Sequence, residues 1–160
     1  MASIKIATGV KTFDIEDQYG NIRGQLRFNP SDLDFINRLA ALEKKLKHYV
    51  DEFNSQQDKF EVADNEVRDP EFGLTEAEQI FATFSFYSDR IKKEINETFG
   101  DDNLSNVVFG SESVFNFYNG STYLANFVEG IVPIIKDSID EEAKKIEEHT
   151  AKYTAHKFEQ

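Results

Sequence analysis

The pattern closest to a metal site in this sequence lies between residues 101 and 112. A twelve-residue calcium loop places oxygen ligands at its first, third, fifth and twelfth positions. These positions hold Asp101, Asn103, Ser105 and Glu112. The sixth position, where the sharp turn needs glycine, is Asn106, and the ninth is Phe109, which offers no side-chain oxygen. Helix capping by the same polar residues is the alternative, and we predict no metal ligand here.

The other reactive side chains are few or scattered. The histidines, His48, His149 and His156, share no zinc spacing, and the chain has no cysteine. Adjacent carboxylates such as Glu141 and Glu142 are common among 30 acidic residues, so they do not single out a general acid. No phosphate loop, dinucleotide fingerprint or nucleophile elbow occurs. The sequence therefore predicts no catalytic residue, no cofactor and no enzyme.

Aromatic side chains are the prominent feature of the chain. It contains 15 phenylalanines in 160 residues, and each fully buried ring contributes roughly 2–3 kcal/mol to stability. Three aromatics, Phe115, Phe117 and Tyr118, lie in an irregular segment, 110–122, that is rich in Gly, Ser and Asn. Either these rings fold onto the helical core, or they are presented to a partner. All three are therefore candidate partner-binding residues.

A second candidate surface lies on the first predicted helix, residues 31–54. Its apolar residues form a heptad seam with spacings of four, three, four, three and four: Phe35, Leu39, Leu42, Leu46, Tyr49 and Phe53. The seam packs either on the core of its own domain or against another subunit, which would make a homo-oligomer. The candidate partner-binding residues of the seam are Leu39, Leu42 and Leu46.

The beginning of the chain predicts a β-hairpin. Apolar and polar residues alternate near 10–16 and 21–28, and the turn between them contains Gly20, which tolerates a positive φ. A further short strand over residues 3–7 is an additional expectation. Two strands alone are marginally stable, so the hairpin must pack on helices, on a larger sheet or on another subunit.

Two further helices follow a polar loop at residues 54–74, in which Phe60 and Phe72 are expected to be anchors. Thr75 and Glu78 form a capping box at the start of helix two, and Gly100 ends it. A short helical turn over 101–110 comes next.

Helix three starts near Ser121 or Thr122 and carries a long apolar stripe. We predict one α+β domain, mostly helical, with an N-terminal β-hairpin and three main α-helices. It divides into a hairpin region (1–28), a helical region (29–150) and a frayed tail (151–160).

Charge limits the classes of partner. The formal net charge is −12, so the chain should repel both nucleic acid and anionic membranes. No run approaches the roughly 20 apolar residues of a membrane span, and residues 1–10 lack the long apolar core of a signal peptide, so we expect a soluble protein that is not secreted. An acidic protein that mimics DNA is a weaker alternative, because basic residues interrupt the acidic faces: Lys44, Lys45, Lys92 and Lys93.

Three stretches resemble a known family. The first two are Gly24–Leu33 and Val107–Gly110. The third is Asn126–Glu129, which is followed later in the chain by Ile134 and Lys152–Thr154. In this order they resemble tail assembly chaperones and related tail-module proteins of long-tailed phages of Gram-positive bacteria. The resemblance covers residues 20–154.

The resemblance implies a protein-binding function without catalysis. Such a chaperone binds the tape measure protein, in the cytoplasm of the infected host bacterium, before the tail tube polymerises around it. A structural component of the virion, in the tail or connector, is the alternative. A heptad seam, an aromatic loop and a strong negative charge suit a soluble protein that binds a long helical client.

Overall fold

The computed structural model describes the backbone of residues 2–158 and the side chains up to residue 152. It is an α+β fold, as predicted, and most of its residues are helical. In chain order its elements are β1 (Lys11–Glu16), β2 (Ile22–Phe28), α1 (Leu33–Glu61), α2 (Glu76–Phe99), α3 (Leu104–Phe109), β3 (Phe117–Tyr118), β4 (Ser121–Thr122) and α4 (Tyr123–Phe158).

The predicted N-terminal hairpin is confirmed. β1 pairs antiparallel with β2, and Phe13 lies opposite Leu26 on the face that packs on the core. The turn is closed by Asp17, whose carboxylate accepts hydrogen bonds from the amides of Tyr19 and Asn21, both at 2.9 Å. Gly20 in this turn has φ +81°, which glycine adopts without strain.

The strand expected over residues 3–7 is absent. Residues 2–10 have no secondary structure and every one of them is exposed. Their apolar and polar residues alternate as in a strand, but within residues 2–158 no segment pairs with them. The alternation alone cannot form a strand because a strand needs the hydrogen-bonding groups of a neighbour.

Helices α1 and α2 pack as an antiparallel pair joined by aromatic rings. Four ring pairs run along it with centroid distances of 4.9–5.9 Å: Phe35–Phe99, Tyr49–Tyr87, Phe53–Phe84 and Phe60–Phe81. The last pair lies beyond the predicted end of the first helix at residue 54, and α1 continues to Glu61. The loop is correspondingly shorter. Phe72 within it is 73% exposed and is not the expected anchor.

The ends of α2 form as the sequence predicts. The Thr75 hydroxyl accepts from the amide of Glu78, and the Glu78 carboxylate accepts from the amide of Thr75. Gly100 closes the helix in the left-handed region, with φ +63°. Each of these signals depends on residues close in sequence, which is why the sequence specified them correctly.

Helix α4 runs in the opposite direction to α1. Its first residues are tied to the preceding segment, because the amide of Leu124 donates to the Val114 carbonyl at 2.9 Å. Further along, Glu141 pairs with Lys11 at the start of β1 at 3.1 Å. The helix continues to Phe158, so residues 151–158 are helical where a frayed tail was expected. The last two residues of that expected tail lie outside the described part.

The core lies between the hairpin, the α1–α2 pair, α3 and the first half of α4. At its centre, four residues are at most 1% exposed: Ile91, Ile95, Leu104 and Val114. None of the helices within residues 2–158 combines the length and the apolarity that a membrane span requires.

Candidate functional site: an apolar groove between α1 and α4

Phe115 belongs to the core. It is 6% exposed, and its ring stacks on that of Phe53 at a centroid distance of 4.1 Å and an interplanar angle of 5°. The adjacent Val114 fixes this position, since its amide donates to the buried hydroxyl of Ser88 in α2 at 3.0 Å. Phe115 is therefore a core residue and not the partner-binding residue that the sequence suggested, because a buried ring presents little surface to a partner.

Phe117 and Tyr118 lie on the surface. They form β3 and are 62% and 55% exposed. β3 and β4 make a small hairpin whose turn is Asn119-Gly120, and both turn residues have positive φ, 54° and 84°. The sequence analysis expected an irregular segment here. The Asn-Gly pair, the strongest short-range hairpin signal, would have predicted this hairpin.

The heptad seam of α1 lines a groove. Leu42 is buried, while Leu39 and Leu46 are half-buried and face α4. A groove of about 330 Å³ separates the two helices at this point. Its apolar walls consist of Leu39, Leu42 and Leu46 from α1 and Val128, Ile131, Val132, Ile135 and Ile139 from α4. The seam thus packs partly within its own domain and partly borders open space.

The groove suits an elongated apolar ligand. The α1 wall runs over eight residues, from Leu39 to Leu46, and the α4 wall over twelve, from Val128 to Ile139. At 1.5 Å per residue these walls are about 10 and 16 Å long, roughly two to three helical turns. The polar side chains on its rim are Glu43, Lys136 and Asp140. An apolar floor with a charged rim is the usual form of a groove that accepts an amphipathic helix.

The α4 wall contains residues that were not singled out as candidate site residues. Val132 is 51% exposed at the groove, whereas Ile135 is 3% exposed at its base. The apolar stripe of α4 was visible in the sequence, but its spacing did not indicate which helix it faces. Only the antiparallel placement of α4 beside α1 brings the two stripes together.

Polar groups of the calcium-like segment form local hydrogen bonds, and within the described part of the chain no side-chain hydrogen bond caps α3 at its N-cap residue Asn103. The Asp101 carboxylate accepts from the amide of Asn103 at 2.9 Å, and the amide of Ser105 donates to Asn96 at 2.8 Å. Glu112 lies beside the Tyr123 phenol; burial, and then this carboxylate, raise the pKa of Tyr123. Among the described residues, no group of three or more His, Cys, Asp or Glu side chains is placed to hold a metal ion.

The structure is thus a helix-rich α+β fold with an apolar groove, which is lined by the seam of α1 and the stripe of α4. Comparisons with protein-family models, curated protein sequences and solved structures give no match to this chain.

Proposed function

We propose that this protein binds other proteins without catalysis, and that its groove between α1 and α4 receives an amphipathic helix of a client. We infer that this client is the tape measure protein of a long-tailed phage, because the family resemblance implies that role. The protein would then act as a tail assembly chaperone in the cytoplasm of the infected host bacterium. The observation that carries the proposal is the apolar groove of about 330 Å³.

The groove offers the surface that such binding needs. Eight apolar side chains line it, and Val132 at its rim is already half in solvent. A client helix with apolar residues three, four and seven positions apart would contact both walls at once. Each apolar side chain transferred from water into the groove contributes roughly 1.5–3 kcal/mol before the costs of association.

The charge of the chain suits the same role. A protein that presents apolar surface to solvent is prone to self-aggregation, and the net charge of −12 opposes this by repulsion between copies. Of the described residues that line the groove, three are charged: Glu43, Lys136 and Asp140. Most of the negative charge therefore lies outside the groove, and the floor of the groove is apolar.

Co-expression with a tape-measure-type protein, a long helical polypeptide of a phage tail, tests the proposal. The wild-type protein should increase the soluble fraction of that client and co-purify with it. Val132→Glu should weaken binding by at least about tenfold, because it places a carboxylate in an apolar contact. Ile146→Glu is the matched control: it lies on the same helix, is 59% exposed and does not line the groove.

The outcomes separate the client from the site. If the wild-type protein neither solubilises nor retains the client, the proposed function is wrong. If Val132→Glu binds as well as wild type, the groove is not the binding site, although client binding itself stands. Equal loss in both variants would point to a general effect of charge on α4 and would also contradict the groove.

A further inference from the structure

The outer edge of β1 is open. In the described part of the chain β1 pairs only with β2, so the hydrogen-bonding groups along its other edge face no strand. Two clefts of about 600 and 480 Å³ lie beside β1: the smaller is lined by β1 and α4, and the larger also by residues of β2, α3 and β3. Their walls include consecutive residues from Lys11 to Gln18, which point to both faces of the hairpin in turn. The clefts therefore open onto the strand edge itself.

The larger cleft has an apolar floor and an acidic rim. Its apolar side chains include Phe13, Ile15, Phe127, Ile131 and Ile134. Among the described side chains, the charged ones that line it are Asp14, Glu16, Asp17 and Glu112, with Arg23 as the one basic residue. Phe13 and Ile15 lie on the core face of β1, and Asp14 and Glu16 on the opposite, exposed face. A strand added here would bury apolar residues on one face and meet negative charge on the other.

The first residues of this chain match that description. Ile4 and Ile6 are 88% and 82% exposed, and Lys5 stands between them. Before Asp14 the chain has two lysines, Lys5 and Lys11, and no acidic residue, although the whole chain carries −12. This arm, residues 2–10, thus combines strand alternation with one positive charge, Lys5, and no negative charge in an acidic protein.

The path of the arm leads away from its own β1 edge. Lys11 lies opposite Phe28, the last residue of β2. Before it, Gly9 lies against Asn29, so close that a Cβ on Gly9 would be 2.7 Å from the Asn29 Oδ1 atom. The arm therefore continues the line of β1 past the end of β2 instead of folding back. At about 3.3 Å per residue, residues 2–8 would reach about 23 Å further if they were fully extended.

We propose that residues 3–7 of one copy add as a third strand to the free edge of β1 in a second copy. In the cleft between β1 and α4, Ile4 and Ile6 pack against the apolar side chains of α4. Lys5 then lies on the exposed face beside Asp14 and Glu16. Backbone hydrogen bonds along an open edge supply the affinity, and the alternating side chains supply the register.

Sedimentation of the full chain over a range of concentrations tests this exchange. The wild-type protein should self-associate, and the double variant Ile4→Asp with Ile6→Asp should associate at least about tenfold more weakly. The matched control is Val62→Asp with Val67→Asp, since these side chains are 83% and 68% exposed in another loop. A wild-type monomer at every accessible concentration would overturn the proposal, as would an arm variant that associates like wild type.

Disulfide formation distinguishes exchange between copies from folding back within one copy. The chain has no cysteine, so each introduced pair reports a single contact. A mixture of Lys5→Cys protein with Asp14→Cys or Glu16→Cys protein should form mixed disulfide dimers, because neighbouring same-face residues on paired strands lie within disulfide reach. A mixture of Lys5→Cys with Gln57→Cys should not. A chain that carries Lys5→Cys together with Asp14→Cys or Glu16→Cys tests the alternative. If a disulfide forms only within such single chains and never between two chains, the proposed exchange is wrong.

Discussion

Gly24 allows β2 to lie close to α3. A Cβ at this position would be 2.7 and 3.0 Å from the two methyl carbons of Val107. Valine is branched at Cβ and restricted to few rotamers, so it cannot easily turn away. We expect Gly24→Ala to lower the free energy of unfolding by about 1–3 kcal/mol in a urea titration. Adding Val107→Ala should recover most of that loss.

Gly130 provides the control for Gly24. It lies inside α4, and apart from the adjacent backbone of the helix itself, no atom of the described residues would lie within 4 Å of a Cβ there. Because alanine is the better helix former, Gly130→Ala should raise stability by roughly 0.5–1 kcal/mol. If the two substitutions changed stability in the same direction, close packing at Gly24 would not be the cause.

Asp69 organises the loop between α1 and α2. Its carboxylate accepts from the amides of Phe72 at 2.7 Å, Leu74 at 3.0 Å and Glu71 at 3.0 Å. These hydrogen bonds lower the pKa of the Asp69 carboxyl below its ordinary value of 3.8, and the bond from the Phe72 amide has the largest effect. The unfolded chain therefore binds the proton more tightly. The resulting stabilisation is present above the unfolded pKa and is lost as the pH falls through the lower native value.

The pH dependence of an Asp69 variant follows from this. The difference in Tm between wild type and Asp69→Asn should be constant from neutral pH to about pH 5 and should shrink below that. Thermal unfolding followed by circular dichroism measures it. Asp58→Asn, on the exposed surface of α1, controls for the change in net charge. A difference that grows toward acid pH would contradict the role of the Asp69 carboxylate.

At the scale of elements, a chain of rings joins the β3–β4 region to the helix pair. Phe115 stacks on Phe53, and Phe53 contacts Phe84 at 4.9 Å. Phe115→Ala should therefore cost about 3–5 kcal/mol of stability. Phe117→Ala, two residues away but 62% exposed, should change stability by no more than about 0.5 kcal/mol. Guanidinium unfolding of both variants checks this, and similar losses would contradict the assignment of Phe115 alone to the core.

The same two rings show where prediction from sequence stops. Phe115 and Phe117 occupy one short aromatic segment with similar neighbours, and no periodicity separates them. Their different burial is decided by α2, whose Ser88 accepts the Val114 amide and fixes the segment next to Phe53. The capping box of Thr75 could be predicted because its partners lie within one helical turn.

At the scale of the whole molecule, α4 has two different halves. Leu124 and Ile135 are buried, whereas every residue from 143 to 152 is exposed. An isolated helical segment without tertiary contacts is only marginally stable. In hydrogen exchange followed by mass spectrometry, we therefore expect the amides of 143–152 to exchange much faster than those of 124–139. Equal protection in both halves at low concentration would show that this expectation is wrong.

The sequence by itself determined the hairpin, the three long helices and the ends of α2. Each depends on neighbours a few residues apart, such as Gly20 in its turn and Gly100 at its cap. Only the tertiary structure decided which apolar stripes meet, and so placed Leu39 of α1 across a groove from α4. Within residues 2–158, it also gave the residues around Ile4 no partner strand. Periodicity states that one side of an element is apolar, but the partner of that side is set by contacts between segments far apart in the chain.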